Sequence, residues 1–301
     1  MNESLFINII IGISIASVPL IFAAIGELLV ERSGVLNLGV EGMMIVGALL
    51  GFVVMSHTQN PYLAVLSAML GGMVIASIFA FLTQFLLTNQ VATGLALTLF
   101  GLGFAAFAGR GYTEETIQLI TAVPIPYLSD IPYLGPLLFS FNPLVYLAFF
   151  MVYLVWWFLF KTKQGLILRA IGDNHDAAHA IGHNVVRYRV MAILFGGAMA
   201  GIGGAFLSLV QVPIWGEGMT AGRGWIALGL VVFASWQPFR IIFGAILFGG
   251  ITILQIHAQG LNINVSAQYL SMLPYLATIV ILVSLRMRLK NKTNRTVPNC
   301  L

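Results

Sequence analysis

Residues 161–189 read KTKQGLILRAIGDNHDAAHAIGHNVVRYR, a charged island in a chain that is otherwise almost all hydrocarbon. The island holds Lys161, Lys163, Arg169, Arg187 and Arg189, five of the fourteen Lys and Arg, and two of the ten acids, Asp173 and Asp176. Across the 301 residues, 59% are hydrophobic and 8% charged, whereas soluble domains carry roughly 25% charged residues. Such a chain has too little polar surface to cover a water-soluble core, and an all-α polytopic membrane protein is predicted. Continuous apolar runs exclude an outer-membrane barrel, whose strands alternate lipid-facing and lumen-facing residues. Their glycines suit packed transmembrane helices, which approach closely at small residues. The lone Cys300 rules out an internal disulfide framework and a cysteine-based metal site. The basic residues behind the net charge of +4 cluster at span ends, where topology accounts for them and no nucleic-acid partner is implied.

A span needs about 20 apolar residues. Candidates are Leu5–Val30, Val40–Met55, Tyr62–Leu87, Val91–Gly109, Leu144–Phe160, Val190–Val210, Trp225–Trp236, Ile241–Ile256 and Leu270–Leu285, about nine in all. Val40–Met55, Trp225–Trp236 and Ile241–Ile256 are short, as in transporters whose broken helices line the pathway. The first run follows Met-Asn-Glu-Ser with no basic n-region and reads as a retained span rather than a signal peptide. No lysine precedes Lys161, and the basic residues crowd into 161–189 and the tail at 286–301. The positive-inside rule puts both in the cytoplasm, with the N-terminus and the Pro-rich loop 110–142 outside. That loop carries Glu114, Glu115 and Asp130, and reads either as a docking surface for an external partner or as a stiff lid. VEGMM at Val40–Met44 is echoed by GEGMT at Gly216–Thr220, the pattern an inverted repeat would leave.

Within the island, Asp173 or Asn174 can cap a short helix by accepting orphan backbone N–H groups, Asp176 suits its dipole and Gly182 supplies a stop. Ala177, Ala178 and Ile181 are expected on one side, with Asp176, His179 and His183 on the other. The spacing of His175, His179 and His183 suggests a metal site, but no carboxylate or cysteine completes a set. A helix this short is marginal alone and implies a partner that grips it. No phosphate-cradling GxxxxGK[ST] is present, nor GxSxG or HExxH, so the chain is expected not to be an enzyme and to bind no cofactor itself. Polar residues inside spans default to functional candidates. Asn37 and Glu41 flank Gly39 and Gly42; Asn89, Gln90 and Thr93 offer amides and a hydroxyl to a polar solute. Trp215 and Trp225 are placed to stack on a flat face, near Glu217 and Arg223 at the outer mouth. So few intramembrane charges disfavour an ionic cargo. An ion-gradient secondary transporter of a small polar solute is the alternative, and it would have only Glu27 and Glu41 as intramembrane carboxylates.

The segment GLILRAIGDNHDAAHAIGHNVVRYRVMAILFGGAMAGIGGAFLSL at Gly165–Leu209 resembles the coupling loop and following helix of ABC importer permeases, in the branched-chain amino acid permease-like branch. Three further stretches, GELLVERSGVLNLGVEGMMIVGA at Gly26–Ala48, NQVATGLALTL at Asn89–Leu99 and EGMTAGRGWIALGLVVF at Glu217–Phe233, are similar to its nucleoside and simple-sugar subgroup. The resemblance runs from about Phe22 to Ser284, and it implies one permease domain over 1–301 in a bacterial inner membrane. It also implies a cytoplasmic ATPase that holds ATP and Mg, a second permease subunit of different sequence, and an extracytoplasmic solute-binding protein. By this resemblance Gly172, Asp173, Asn174, Ala177, Ala178, Ile181 and Gly182 form the ATPase-coupling element, and the cargo is a nucleoside, with simple sugars next.

Overall fold

The computed structural model describes residues 3–124, 126–129, 131 and 134–260, with the scattered positions 272, 276, 279, 280 and 283. Apart from those positions, the predicted span Leu270–Leu285 lies outside the described residues, as do the tail 286–301, Asp130 and Cys300. The helices are α1 Glu3–Arg32, α2 Val40–Thr58, α3 Pro61–Ala80, α4 Gln90–Ala108, α5 Leu134–Leu138 and α6 Pro143–Lys161. They continue as α7 Lys163–Asp173, α8 His175–Ala180, α9 Val185–Phe206, α10 Arg223–Phe233 and α11 Pro238–Gly260. Among the described residues no named strand occurs, and seven helices are long and apolar enough to cross a membrane: α1, α2, α3, α4, α6, α9 and α11.

The expected spans Val40–Met55 and Ile241–Ile256 are not short. Their helices extend through polar flanks to 19 and 23 residues, and only the apolar stretch of each stands out in the sequence. Trp225–Trp236, by contrast, is short in the structure as well. The helix that overlaps it, α10, has 11 residues and reaches about 16 Å, half of a hydrocarbon core of about 30 Å.

Asparagine starts five of these helices for one local reason: its side chain accepts the backbone N–H groups that the first turn leaves unpaired. Asn60 Oδ1 accepts from Tyr62 N at 3.0 Å, Asn89 from Ala92 N at 3.0 Å, Asn142 from Leu144 N at 2.9 Å and Asn184 from Arg187 N at 3.0 Å. Pro61 and Pro143 follow their caps at the first helical position, where the missing N–H costs nothing.

Helix α9 is the centre of the bundle and packs against α1, α2 and α3. Glycine allows that approach. A Cβ on Gly47 would collide with the backbone of Gly201, one on Gly204 with the Met44 carbonyl, and one on Gly72 with the Gly197 carbonyl. Backbones this close replace the hydrophobic drive that helices lack in lipid with van der Waals contact. Both α3 and α9 end in a single π-turn, Phe81–Phe85 and Leu207–Gln211. The loop after α4 is tied down at the far end of α9: Thr116 bridges Ile214, Ile120 N donates to Leu209 O at 2.9 Å and Asn142 Nδ2 to Ile120 O at 2.6 Å.

Candidate functional site

After α9 the chain runs without helix through 212–222 before α10 begins. Ala221 (φ 46°) and Gly222 (φ 77°) precede α10 in the left-handed region, and Ser235 (φ 50°) and Trp236 (φ 54°) follow it there. For a residue with a Cβ that region is costly, so α10 is a half-length helix bounded by strain at both ends. What holds it is visible in the hydrogen bonds. Glu41, buried in the first turn of α2, accepts from Thr220 Oγ1 at 2.6 Å, Gly222 N at 2.8 Å and Gly224 N at 2.6 Å. One carboxylate thus caps α10 from a helix some 180 residues earlier in sequence, satisfying orphan donors and meeting the positive end of the helix dipole. A Cβ on Gly224 would lie 2.6 Å from Glu41 Cα, so glycine is required for that approach. The echoed segments do meet, since Glu41 of VEGMM bonds Thr220 of GEGMT, but Glu41 is buried in a helix and Glu217 is exposed in a turn.

At its other end α10 is joined to α1. Trp236 Nε1 donates to Glu31 Oε2 at 2.6 Å and Arg32 Nη2 donates to Trp236 O at 3.1 Å. The link between α1 and α2 is equally tied. Asn37 N donates to Glu27 Oε1 at 3.2 Å, Gly39 N to Asn37 Oδ1 at 2.9 Å, Leu36 N to Gln90 Oε1 at 2.9 Å and Thr98 Oγ1 to Leu38 O at 2.9 Å. Asn37 and Glu41, predicted to face a solute, direct their polar atoms to backbone and side-chain partners within the chain. Asn89 is the exposed cap of α4, Gln90 anchors the α1–α2 link and Thr93 bonds Thr88 at 2.9 Å. Trp215 is buried against the end of α4 at Gly109, whereas Trp225 and Glu217 are exposed. Arg223 Nη1 donates to Met219 O at 2.9 Å, and the residue borders a cavity of about 170 Å³ with Gln211, Gly216 and Met219.

The charged island forms two helices rather than one. Thr162 caps α7, accepting from Gly165 N at 3.0 Å, and Asn174 caps α8, accepting from Ala177 N at 3.0 Å. Gly182 at φ 92° ends α8, with Gly182 N bonded to His179 O and His183 N to Ala178 O. The expected single face of Ala177, Ala178 and Ile181 is split. Ala177 and Ile181, four apart, lie outward with Ile181 72% exposed, while Ala178, a helical step of about 100° on, is buried at 2%. Asp173, Asn174 and Gly182 are exposed. Gly172 touches α1: a Cβ there would strike the Arg32 carbonyl and approach Gly34 N. Arg189 at the start of α9 closes the same junction, its Nε donating to Ser33 O at 3.2 Å. The sequence reading missed Thr220, Gly222, Gly224, Trp236 and Arg189; the Ala-Gly-Arg-Gly run at 221–224 was the available sign of a helix start at glycine. Among the described residues no cluster of His, Cys, Asp and Glu fits a metal ion.

Residues 9–283 match the family model described as branched-chain amino acid transport system / permease component. The chain is 41% identical to "Putative glucose ABC transporter permease protein TsgC13" of Haloferax volcanii, over 89% of this chain and 88% of that one. It is 32% identical to the nucleoside ABC transporter permease protein NupC of Lactococcus lactis, over 91% and 90%. It is also 32% identical to the guanosine ABC transporter permease protein NupQ of Bacillus subtilis, over 88% and 87%. No solved structure matches. A multi-pass helical bundle with one half-length helix, matched almost end to end by ABC permeases, belongs to the branched-chain amino acid transport system / permease component family.

Proposed function

We propose that this permease moves a nucleoside into the cell, driven by a separate ATPase that binds ATP and Mg and grips α8. The observation that carries this is the joining of the exposed island to the broken helix by one unbroken series of contacts. Helix α8 follows α7, whose Gly172 abuts Arg32 and Gly34. The α1–α2 link leads from there to Glu41, and Glu41 holds the start of α10. A displacement of α8 by a closing ATPase is thereby delivered to the half-length helix α10, as differential stabilisation of inward- and outward-facing states. Asp173, Asn174, Ala177, Ile181 and Gly182 present the gripping surface, and Ala178 and Gly172 secure it to the bundle.

In this reading the island and the tail face the cytoplasm, the N-terminus and 110–142 face outward in the inner membrane, and an external binding protein delivers solute. A second permease of different sequence completes the pore. Solute enters past Gln211, Gly216, Arg223 and the exposed Glu217 and Trp225. The names of the 32% identical relatives support a nucleoside cargo. Glucose is the second reading, favoured by the name of the 41% identical relative. A gradient-driven mechanism is not favoured, because the relatives that match this chain almost end to end are named as ABC transporter permeases.

The test is purification from native membranes with and without Ala177→Arg, together with competition of labelled guanosine uptake by unlabelled glucose. The ATPase is expected to accompany the wild type and be lost from the variant, with guanosine uptake resistant to glucose. Absence of an ATPase from both preparations refutes the coupling assignment, and uptake displaced by glucose but not by uridine reassigns the cargo.

A further inference from the structure

A sizeable cavity lies away from the α10 route. It has a volume of about 640 Å³ and lies between α6, α7 and the start of α9. Its deep wall is apolar, with Leu154 and Phe158 from α6, Leu168 from α7, and Met191 and Phe195 from α9. Its mouth is polar: Gln164, His183 and Arg187 stand there, and no carboxylate lines any part of it. Tyr188 O–H donates to Gln164 Oε1 across the mouth, and His183 packs edge-on against Tyr188. Two membrane-spanning helices, Pro143–Lys161 and Val185–Gln211, supply most of the deep wall, α7 adds Leu168, and the mouth lies where those spans meet the charged island.

We propose that this cavity holds one acyl chain of an anionic phospholipid of the inner leaflet, with its phosphate at Arg187; the assignment rests on the topology proposed above. Charge complementarity and depth select this occupant. An apolar slot opening at the headgroup level beside an exposed guanidinium, with no acid among its described lining residues, matches a lipid that is hydrocarbon below and anionic above. Gly182 and His183 also line the cavity, so the lipid touches the residues that end the coupling helix and would limit the freedom of α8.

The test is lipid retention by the full chain purified in mild detergent, followed by native mass spectrometry with phosphatidylglycerol or phosphatidylcholine added back. The wild type should keep phosphatidylglycerol about fivefold better than phosphatidylcholine, the preference one basic residue gives at an anionic surface. Arg187→Gln should equalise the two lipids, and Leu154→Trp, which fills the slot, should lose both while circular dichroism stays helical. Equal retention of the two lipids by the wild type overturns the proposal. So does unchanged phosphatidylglycerol binding by a folded Leu154→Trp. Loss of the ATPase from Leu154→Trp with no change in lipid would make the slot part of the ATPase contact instead. Lipid retention needs no ATPase, so failure of the transport reading would show separately, as an ATPase missing from the wild-type preparation.

Discussion

Replacing Glu41 tests the central claim about the broken helix. In Glu41→Ala, the Gly222 and Gly224 N–H groups and the Thr220 hydroxyl lose their acceptor. Hydrogen bonds to a charged group contribute about 1.5–3 kcal/mol each, and a buried donor left unpaired costs about 1–3 kcal/mol. Water is excluded at Glu41 and Thr220, 3% and 0% exposed, so little compensation is available. Allowing for relaxation of the start of α10, the net loss is about 3–5 kcal/mol, the range seen when one partner of a buried charged contact is removed. In a chain of this size that lowers the melting temperature by on the order of 5–10 °C. Glu41→Gln keeps the shape and one acceptor oxygen, which serves Thr220 and Gly222, but turns an NH₂ toward the Gly224 N–H. It should lose about 1.5–3 kcal/mol and fall between wild type and alanine. The assay is thermal unfolding in detergent followed by size-exclusion fluorescence, with uptake measured in parallel. Alanine should abolish uptake and glutamine reduce it, in step with stability. An unchanged melting temperature with a raised KM would mean that Glu41 touches solute, and the capping argument would be wrong.

Two further substitutions separate gripping from transmission. Gly172→Leu forces a side chain into the Arg32 carbonyl, and overpacking of this kind costs about 1–3 kcal/mol; the ATPase should still co-purify while uptake is lost, the reverse of the binding defect expected for Ala177→Arg. Trp236→Phe removes the Nε1 donor to Glu31 but leaves the Arg32 bond to the backbone carbonyl. It should cost about 1–3 kcal/mol, read as a melting temperature lower by a few degrees and slower uptake with the ATPase retained.

The fold class was legible because continuous apolar runs admit little else. Local signals also sufficed for α8, where Asn174 and Gly182 act as a cap and a stop irrespective of context. What the sequence concealed are contacts between segments far apart in the chain. Glu41 reads as an expensive intramembrane acid, and its partners are three donors near residue 222 that no local pattern links to it. Trp236 likewise reads as an interfacial aromatic until its indole is found on Glu31. Ala178 was grouped with Ala177 because small residues look alike, but adjacent residues on a helix point about 100° apart. The α7 helix was missed because its buried residues Gly165, Leu168 and Ile171 make too brief a stripe to stand out beside membrane spans.

The placement of polar groups explains why so apolar a chain retains them. Of its buried polar side chains, Asn37, Glu41, Thr98 and Ser208 each bond backbone in another segment or at the α1–α2 link. In lipid, backbone that leaves the helical path must find partners within the protein. A transporter needs such backbone, because a half-length helix with free ends can be displaced where a continuous one cannot. Left-handed backbone at 221–222 and 235–236 sets α10 off from the chain on either side. Glu41 at one end and Trp236 at the other nevertheless tie it to α2 and α1, the two helices joined by the link on which Gly172 rests. On the coupling proposed above, motion at the island would reach α10 from both ends at once, which favours its movement with α1 and α2 as one body over independent sliding.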